Sequence, residues 1–250
     1  MEGIIRQQAK TNIPGQLTRE RTARLSPTPA NPPRAVLDLR TGVGHWAIEF
    51  ADRNPHSHVY GIDLVHMQEE WVPVNCQFLI DDLTKQDWHT PFHNIDIIHI
   101  GALGGDRQLL TCIMDGAYRC CAPGGVVEIW DTTIWLQESS EETGLHHFYH
   151  DMHDAYRRSG RFLDLPLLYS AEFGRHGFIN VVDHVYNIPL DPKYPNPLAR
   201  AIVKNWADGF ESYSLELFDK ELQKRCLDSL LDCATARQAL RKGVKGFLQV

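Results

Sequence analysis

Asp38, Gly42, Gly44 and Asp63 are the residues whose types and spacing point first to chemistry. Glycines lack a Cβ, so their backbone amides can come close to a ligand. Gly42 and Gly44 stand in Gly42-Val43-Gly44-His45-Trp46-Ala47, which satisfies G-x-G-x-x-[G/A]. That pattern is a tight turn feeding the N-terminus of a helix toward a ligand. Asp63 lies 19 residues beyond Gly44, where a carboxylate can accept hydrogen bonds from ribose hydroxyls. A dinucleotide and S-adenosylmethionine both suit such a turn. Asp38 discriminates between them: a carboxylate repels a pyrophosphate and attracts the α-ammonium of adenosylmethionine. The adenosylmethionine reading is therefore preferred, with the dinucleotide as its competitor.

A second concentration of reactive side chains is Gly144-Leu145-His146-His147-Phe148-Tyr149-His150-Asp151-Met152-His153-Asp154. On a helix, His146, His150 and His153 share one face. Imidazoles titrate near neutrality and can serve as general bases, which makes His147 and His150 candidate proton acceptors. Three imidazoles can also hold a metal, but metal ligands usually converge from several elements, so no metal site is expected. Trp130, Trp135, Phe148 and Tyr149 are either apolar walls of a substrate pocket or core residues.

Positioning these residues requires strands and helices in alternation. Ala35-Val36-Leu37-Asp38-Leu39 reads as a buried strand that runs into the glycine turn and a helix from Trp46. Further strands are expected at Val59 to Asp63, Cys76 to Ile80, Ile95 to Ile100 and Val126 to Trp130. Asp81 and Asp82 follow the third strand, either as ligand contacts or as loop-capping acids. Gly101 follows the fourth strand, at the carboxyl end where ligands sit in open α/β sheets. Leu109 to Cys121 has helical spacing. The alternation predicts a doubly wound α/β fold with a mostly parallel sheet and right-handed crossovers. Phe178 to Val182 and His184 to Ile188 read as a closing strand pair, residues 216–242 as one helix, and 243–250 as a short strand or a mobile tail.

Composition sets bounds on class. The 250 residues carry 25 Lys and Arg against 32 Asp and Glu, for a net charge of −7. Nothing in that balance attracts nucleic acid or an anionic membrane, so neither is an expected partner. There is no apolar stretch near membrane-spanning length, which is about 18 to 20 residues, and no signal-peptide pattern at the start. The six cysteines form no C-x-x-C pair, so reduced thiols and a cytoplasmic location are expected, with a nuclear one as the alternative. Residues 1–33 read as a flexible, proline-rich, partly basic arm and a candidate contact for a protein partner. Residues 34–250 read as one domain, with insertions around 131–165 and 189–215.

The stretch Asp38-Leu39-Arg40-Thr41-Gly42-Val43-Gly44 resembles D-x-G-x-G-x-G of class I adenosylmethionine-dependent methyltransferases. Longer matches resemble the fungal LaeA-like methyltransferases: Trp46-Ala47-Ile48, Gly61-Ile62-Asp63-Leu64, Trp71-Val72-Pro73, Asp81-Asp82, Ile97-Ile98-His99-Ile100 and Pro123-Gly124-Gly125. The resemblance implies a Rossmann-like sheet with an antiparallel strand near one edge. Its implied cofactor contacts are Asp38, Arg40, Gly42, Gly44, Asp63, Asp81, Asp82 and Gly101, with Asp82 toward the adenine. It implies methyl transfer to a small molecule of secondary metabolism. It also admits a regulator, or a relative that cyclises or isomerises without methylating. Arg40 stands where the family has its first glycine, which puts methyl transfer itself in question.

Overall fold

The structure, a computed structural model, describes residues 11–12, 32–137 and 143–250. The expected arm over 1–33 lies almost wholly outside them. In chain order the strands are β1 Thr11–Asn12, β2 Ala35–Leu39, β3 His58–Asp63, β4 Cys76–Ile80, β5 Ile95–Ile100, β6 Cys121–Ile129, β7 Thr133–Leu136, β8 Tyr186–Pro189 and β9 Gly246–Gln249. The helices are α1 His45–Arg53, α2 Arg107–Cys120, α3 Gly144–Arg158, α4 Tyr169–Arg175, α5 Pro197–Asp208, α6 Phe210–Leu222 and α7 Cys226–Lys242. Backbone contacts divide the described chain into two compact units: 32–131 with 167–184, and 11–12 with 132–137, 143–166 and 185–250.

The first unit is built on a five-stranded sheet ordered β4-β3-β2-β5-β6, with every pairing parallel. Its strands are apolar because both faces are covered; Val36, Leu37, Leu39, Ile98 and Ile100 are fully buried. Helix α1 presents Ala47, Phe50 and Ala51 to Val36, Val59, Cys76 and Ile97. Strand order reverses between β2 and β5. That reversal is the switch point at which open α/β sheets bind ligands, outside the carboxyl ends of the strands.

The second unit has its own sheet, β1-β8-β9-β7, in which β9 runs antiparallel to both β7 and β8. Its core joins Leu145, Phe148 and Met152 of α3 to Phe210, Phe218, Cys233 and Ala236. The antiparallel pairing that the resemblance put near the edge of the main sheet is found here instead. The expected strand over 178–182 does not form. Asn180 takes a left-handed φ of 57°, which interrupts an extended run, and Phe178 packs against Phe173 and Tyr118. The single helix expected over 216–242 is two helices, because Gln223 ends α6 in the left-handed region at φ 55°.

Candidate cofactor site

Strand β2 delivers Asp38 into the sheet and releases the chain into the turn at Arg40. Three turn residues have positive φ: Arg40 at 59°, Gly42 at 57° and Gly44 at 81°. Thr41 opens a tight turn, its carbonyl accepting the Gly44 N–H at 2.9 Å, and Gly44 precedes the first residue of α1. The two glycines are required for different reasons. A Cβ on Gly44 would collide with the Phe78 ring, whereas one on Gly42 would meet nothing within 4 Å. Gly42 therefore faces open space, and only its left-handed backbone demands glycine. Both of its backbone polar groups are held. Its N–H donates to Asp63 Oδ2 at 2.8 Å, and its carbonyl accepts from Gln68 Nε2 at 2.5 Å. Asp63, at the end of β3, thus clamps the glycine turn and retains acceptor capacity on the same carboxylate.

Asp38 is only 1% exposed. Its Oδ2 accepts from the Thr41 hydroxyl at 2.5 Å, and its Oδ1 lies 2.7 Å from His99 Nδ1 on β5. Both oxygens have partners, one in the turn and one on the neighbouring strand, and neither waits unpaired for a ligand. The His99 ring also stacks on Trp46 of α1, with centroids 4.1 Å apart and planes 6° from parallel. Burial works against a charge on His99. The attraction of Asp38, the hydrogen bond to it and the nearby Glu128 outweigh burial and raise the imidazole pKa above its usual value.

Across the switch point, the loop after β5 faces the turn. Gly101 N–H donates to the Leu39 carbonyl at 2.9 Å, and a Cβ on Gly101 would stand 2.7 Å from the Arg40 carbonyl oxygen. Close backbone approach explains that glycine. The exposed Arg40 side chain reaches over the same gap and donates from Nη1 to the Leu103 carbonyl at 3.4 Å. Leu103 is fixed in turn: its N–H donates to Asp131 Oδ2, which also accepts the buried Tyr169 hydroxyl at 2.5 Å. After β4, Asp81 N–H donates to the Asp63 carbonyl, which joins the two strand ends. Asp82 Oδ1 accepts from both the backbone and the hydroxyl of Thr84 at 3.0 and 2.6 Å, an Asx turn. The Thr84 hydroxyl and then its N–H hold the Asp82 carboxyl below its ordinary pKa.

A glycine turn at a parallel-sheet switch point, with a carboxylate at the end of the next strand, narrows the field to nucleoside-bearing cofactors. The profile of the methyltransferase-domain family matches residues 9–180. This chain belongs to the methyltransferase-domain family. It is 28% identical over 198 residues to methyltransferase pytC of Aspergillus terreus, across 76% of this chain and 60% of that protein. It is 27% identical over 207 residues to the secondary metabolism regulator laeA of Monascus pilosus, across 78% of this chain and 55% of that one. The chain therefore spans less than two thirds of the length of these relatives. Among solved structures, the [4+2]-cyclase SpnF superposes with a TM-score of 0.50 at 14% identity, over 99% of this chain and 85% of that one. That likeness concerns the fold.

S-adenosylmethionine is the cofactor that goes with this methyltransferase domain, and the residues present fit it. The open face of Gly42 leaves room for a ligand at the turn, Asp63 has acceptor capacity for ribose hydroxyls, and Gly101 lets the two loops close on each other. The structure brings Asp38, Arg40, Gly42, Gly44, Asp63, Asp81, Asp82 and Gly101 to the carboxyl ends of β2 to β5 in the first unit. His147 and His150 are on α3 in the second unit, both exposed. The histidine face divides by role. His146 is buried, accepting the Thr143 N–H at Nδ1 and directing Nε2 to the Gln137 carbonyl. His153 lies 3.5 Å from Asp164. Among the described residues no cluster of His, Cys, Asp and Glu could hold a metal ion. Phe148 is a core residue stacked on Phe210, not a pocket wall. Arg107, the first residue of α2, pairs with Glu172 at 3.4 Å.

Sequence reasoning missed His99, Thr41, Gln68 and Asp131 as parts of the site. His99 had a readable signal: a titratable side chain inside Ile97-Ile98-His99-Ile100, where a buried polar group must find a partner. Gln68 and Asp131 had none, since their contacts are made across distant chain segments.

Proposed function

We propose that this protein transfers a methyl group from S-adenosylmethionine to a small acceptor molecule of fungal secondary metabolism. The observation that carries the reading is the Gly42 turn at the switch point, clamped by Asp63 on one side and Gln68 on the other. When bound, the cofactor supplies an electrophilic methyl group and a neutral sulfide as leaving group. Such chemistry asks little of acids, so catalysis is mainly the alignment of acceptor and sulfonium. In this reading Asp63 accepts the ribose hydroxyls, Asp81 and Asp82 flank the adenine, and the backbone at Gly42, Gly44 and Gly101 leaves room for the methionine end. His147 or His150 takes the proton released by the acceptor. The work is cytoplasmic, and any protein partner would be met through residues 1–33.

One observation favours a second reading. Arg40 spans the switch point to the Leu103 carbonyl, placing a permanent cation where a sulfonium and an ammonium are to lie. A methyltransferase fold that cyclises or isomerises would tolerate that cation. Incubation of the protein with methyl-labelled adenosylmethionine and a fungal small-molecule extract separates the two readings. Methyl transfer moves label into a product heavier by one methyl group. A product of unchanged mass and no label transfer, from the native protein and from Arg40→Gly alike, would overturn the methyltransferase reading.

A further inference from the structure

Asp38 is the residue whose observed state departs most from its expected use. The sequence reading required a carboxylate free to meet the cofactor's ammonium group. In the structure both oxygens are engaged, by Thr41 at 2.5 Å and His99 at 2.7 Å, at 1% exposure. Fully buried carboxylates are rare unless paired, and here the pairing partner is titratable.

We infer that His99 is a positioning residue of the cofactor turn. It holds Asp38 as half of a buried ion pair, and its proton sets the charge that the turn presents to the cofactor. The inference rests on the adenosylmethionine reading of the turn. Three observations carry it. The pair joins β5 to β2 directly behind the turn, and the same carboxylate continues to the Thr41 hydroxyl at the first bend. His99 is thus two hydrogen bonds from the residue whose carbonyl closes the turn on Gly44. The Trp46 indole covers the imidazole face at 4.1 Å, an arrangement that favours a cation on the ring. The groups facing His99 are Asp38 on one neighbouring strand, Glu128 in register on the other, and Trp46 from α1. Both titratable neighbours are acids, and the raised imidazole pKa agrees with that setting.

The charge balance has a consequence for ligand choice. With His99 protonated, the Asp38–His99 pair carries no net charge. With His99 neutral, its Nδ1–H still donates to Asp38, but the pair is negative and the floor of the turn one charge more so. Adenosylmethionine carries one more positive charge than S-adenosylhomocysteine, at the sulfur. A negative floor therefore favours the methyl-bearing form, and discrimination between the two should rise with pH.

The test combines two measurements on the full chain. The His99 ring is followed by NMR from pH 5.5 upward until it has lost its proton, and adenosylmethionine and adenosylhomocysteine are titrated calorimetrically over the same range. For the native protein, the preference for adenosylmethionine should grow roughly threefold to tenfold as His99 loses its proton. His99→Asn retains a donor near the Nδ1 position and cannot titrate, so it should bind both ligands with a preference that is flat with pH. His99→Leu removes the donor and should bind both weakly at every pH. A constant preference in the native protein across the His99 titration would overturn the inference and leave the cofactor reading standing. His99 titrating below its ordinary value of 6.5 would do the same. Failure of both ligands to bind the native protein at any pH would overturn the cofactor reading, and this inference with it.

Discussion

In the proposed reading Asp63 does two things with one carboxylate: it accepts the Gly42 N–H, as the structure shows, and it would accept ribose hydroxyls. Removing it in Asp63→Ala should cost adenosylmethionine binding on the order of 1.5–3 kcal/mol, the value of hydrogen bonds to a charged group. Part of that loss would come from the released turn. Asp63→Asn can still accept the Gly42 N–H through its side-chain oxygen, so it should retain more of the affinity; comparing the two by calorimetry apportions the effect. Arg40 is a second residue with a directional expectation. Its φ of 59° costs an L-residue roughly 1–2 kcal/mol, and its cation lies at the switch point. Arg40→Gly should bind adenosylmethionine more tightly than the native protein does. Its stability should be nearly unchanged, because relief of the left-handed strain is offset by the greater freedom of glycine in the unfolded chain. Tighter binding by the native protein would make Arg40 a ligand contact. The glycines and Asp63 were legible because their chemistry follows from type and local spacing. The occupied state of Asp38 was not, since His99 reaches it from a strand sixty-one residues away in sequence.

At the scale of elements, the turn is rigid because β2, β3, β5 and α1 all hold it. Gly44→Ala should show this. The added methyl meets the Phe78 ring at a backbone φ of 81°, so a loss of about 1–3 kcal/mol is expected in urea unfolding. Phe78→Leu should recover part of that loss by making space; no recovery would place the whole penalty in the backbone. The Asp38–His99 pair adds a pH dependence to the same region. Because the folded pKa of His99 is raised, its stabilising contribution is fully present below about pH 6.5 and is lost as pH rises through the folded value. Thermal melts of the native protein should fall over that window more than those of His99→Asn. Five parallel strands and α1, α2 and α3 were legible from apolar runs, glycine punctuation and helical spacing. The segment 178–182 was misread because its apolar residues are used for packing onto rings. A single left-handed Asn180 suffices to stop a strand.

At the scale of the molecule, apolar runs punctuated by turn residues through residue 129 identified the parallel sheet, but the expected alternation with helices holds only at α1 and α2: turns, not helices, join β3 to β4 and β4 to β5. The second unit was less legible, because β1, β7, β8 and β9 pair across long stretches of chain and are two to four residues each. Such strands carry almost no periodic signal. That unit also holds a cavity of about 310 Å³ whose lining mixes apolar side chains, among them Leu190, Val203 and Leu240, with charged ones of both signs, among them Asp208 and Arg241. None of the residues singled out from sequence lines it. The central claim concerns the first unit: that the Gly42 turn is an adenosylmethionine site organised by Asp63. Calorimetric titration of adenosylmethionine into the native protein and into Asp63→Ala tests it most directly, with a thermal melt of each. The prediction is saturable one-site binding by the native protein, at least tenfold weaker binding by the variant, and a modestly lower melting temperature, because the Gly42 N–H loses its acceptor. Equal affinity in the two proteins, or no binding by the native one, would contradict it.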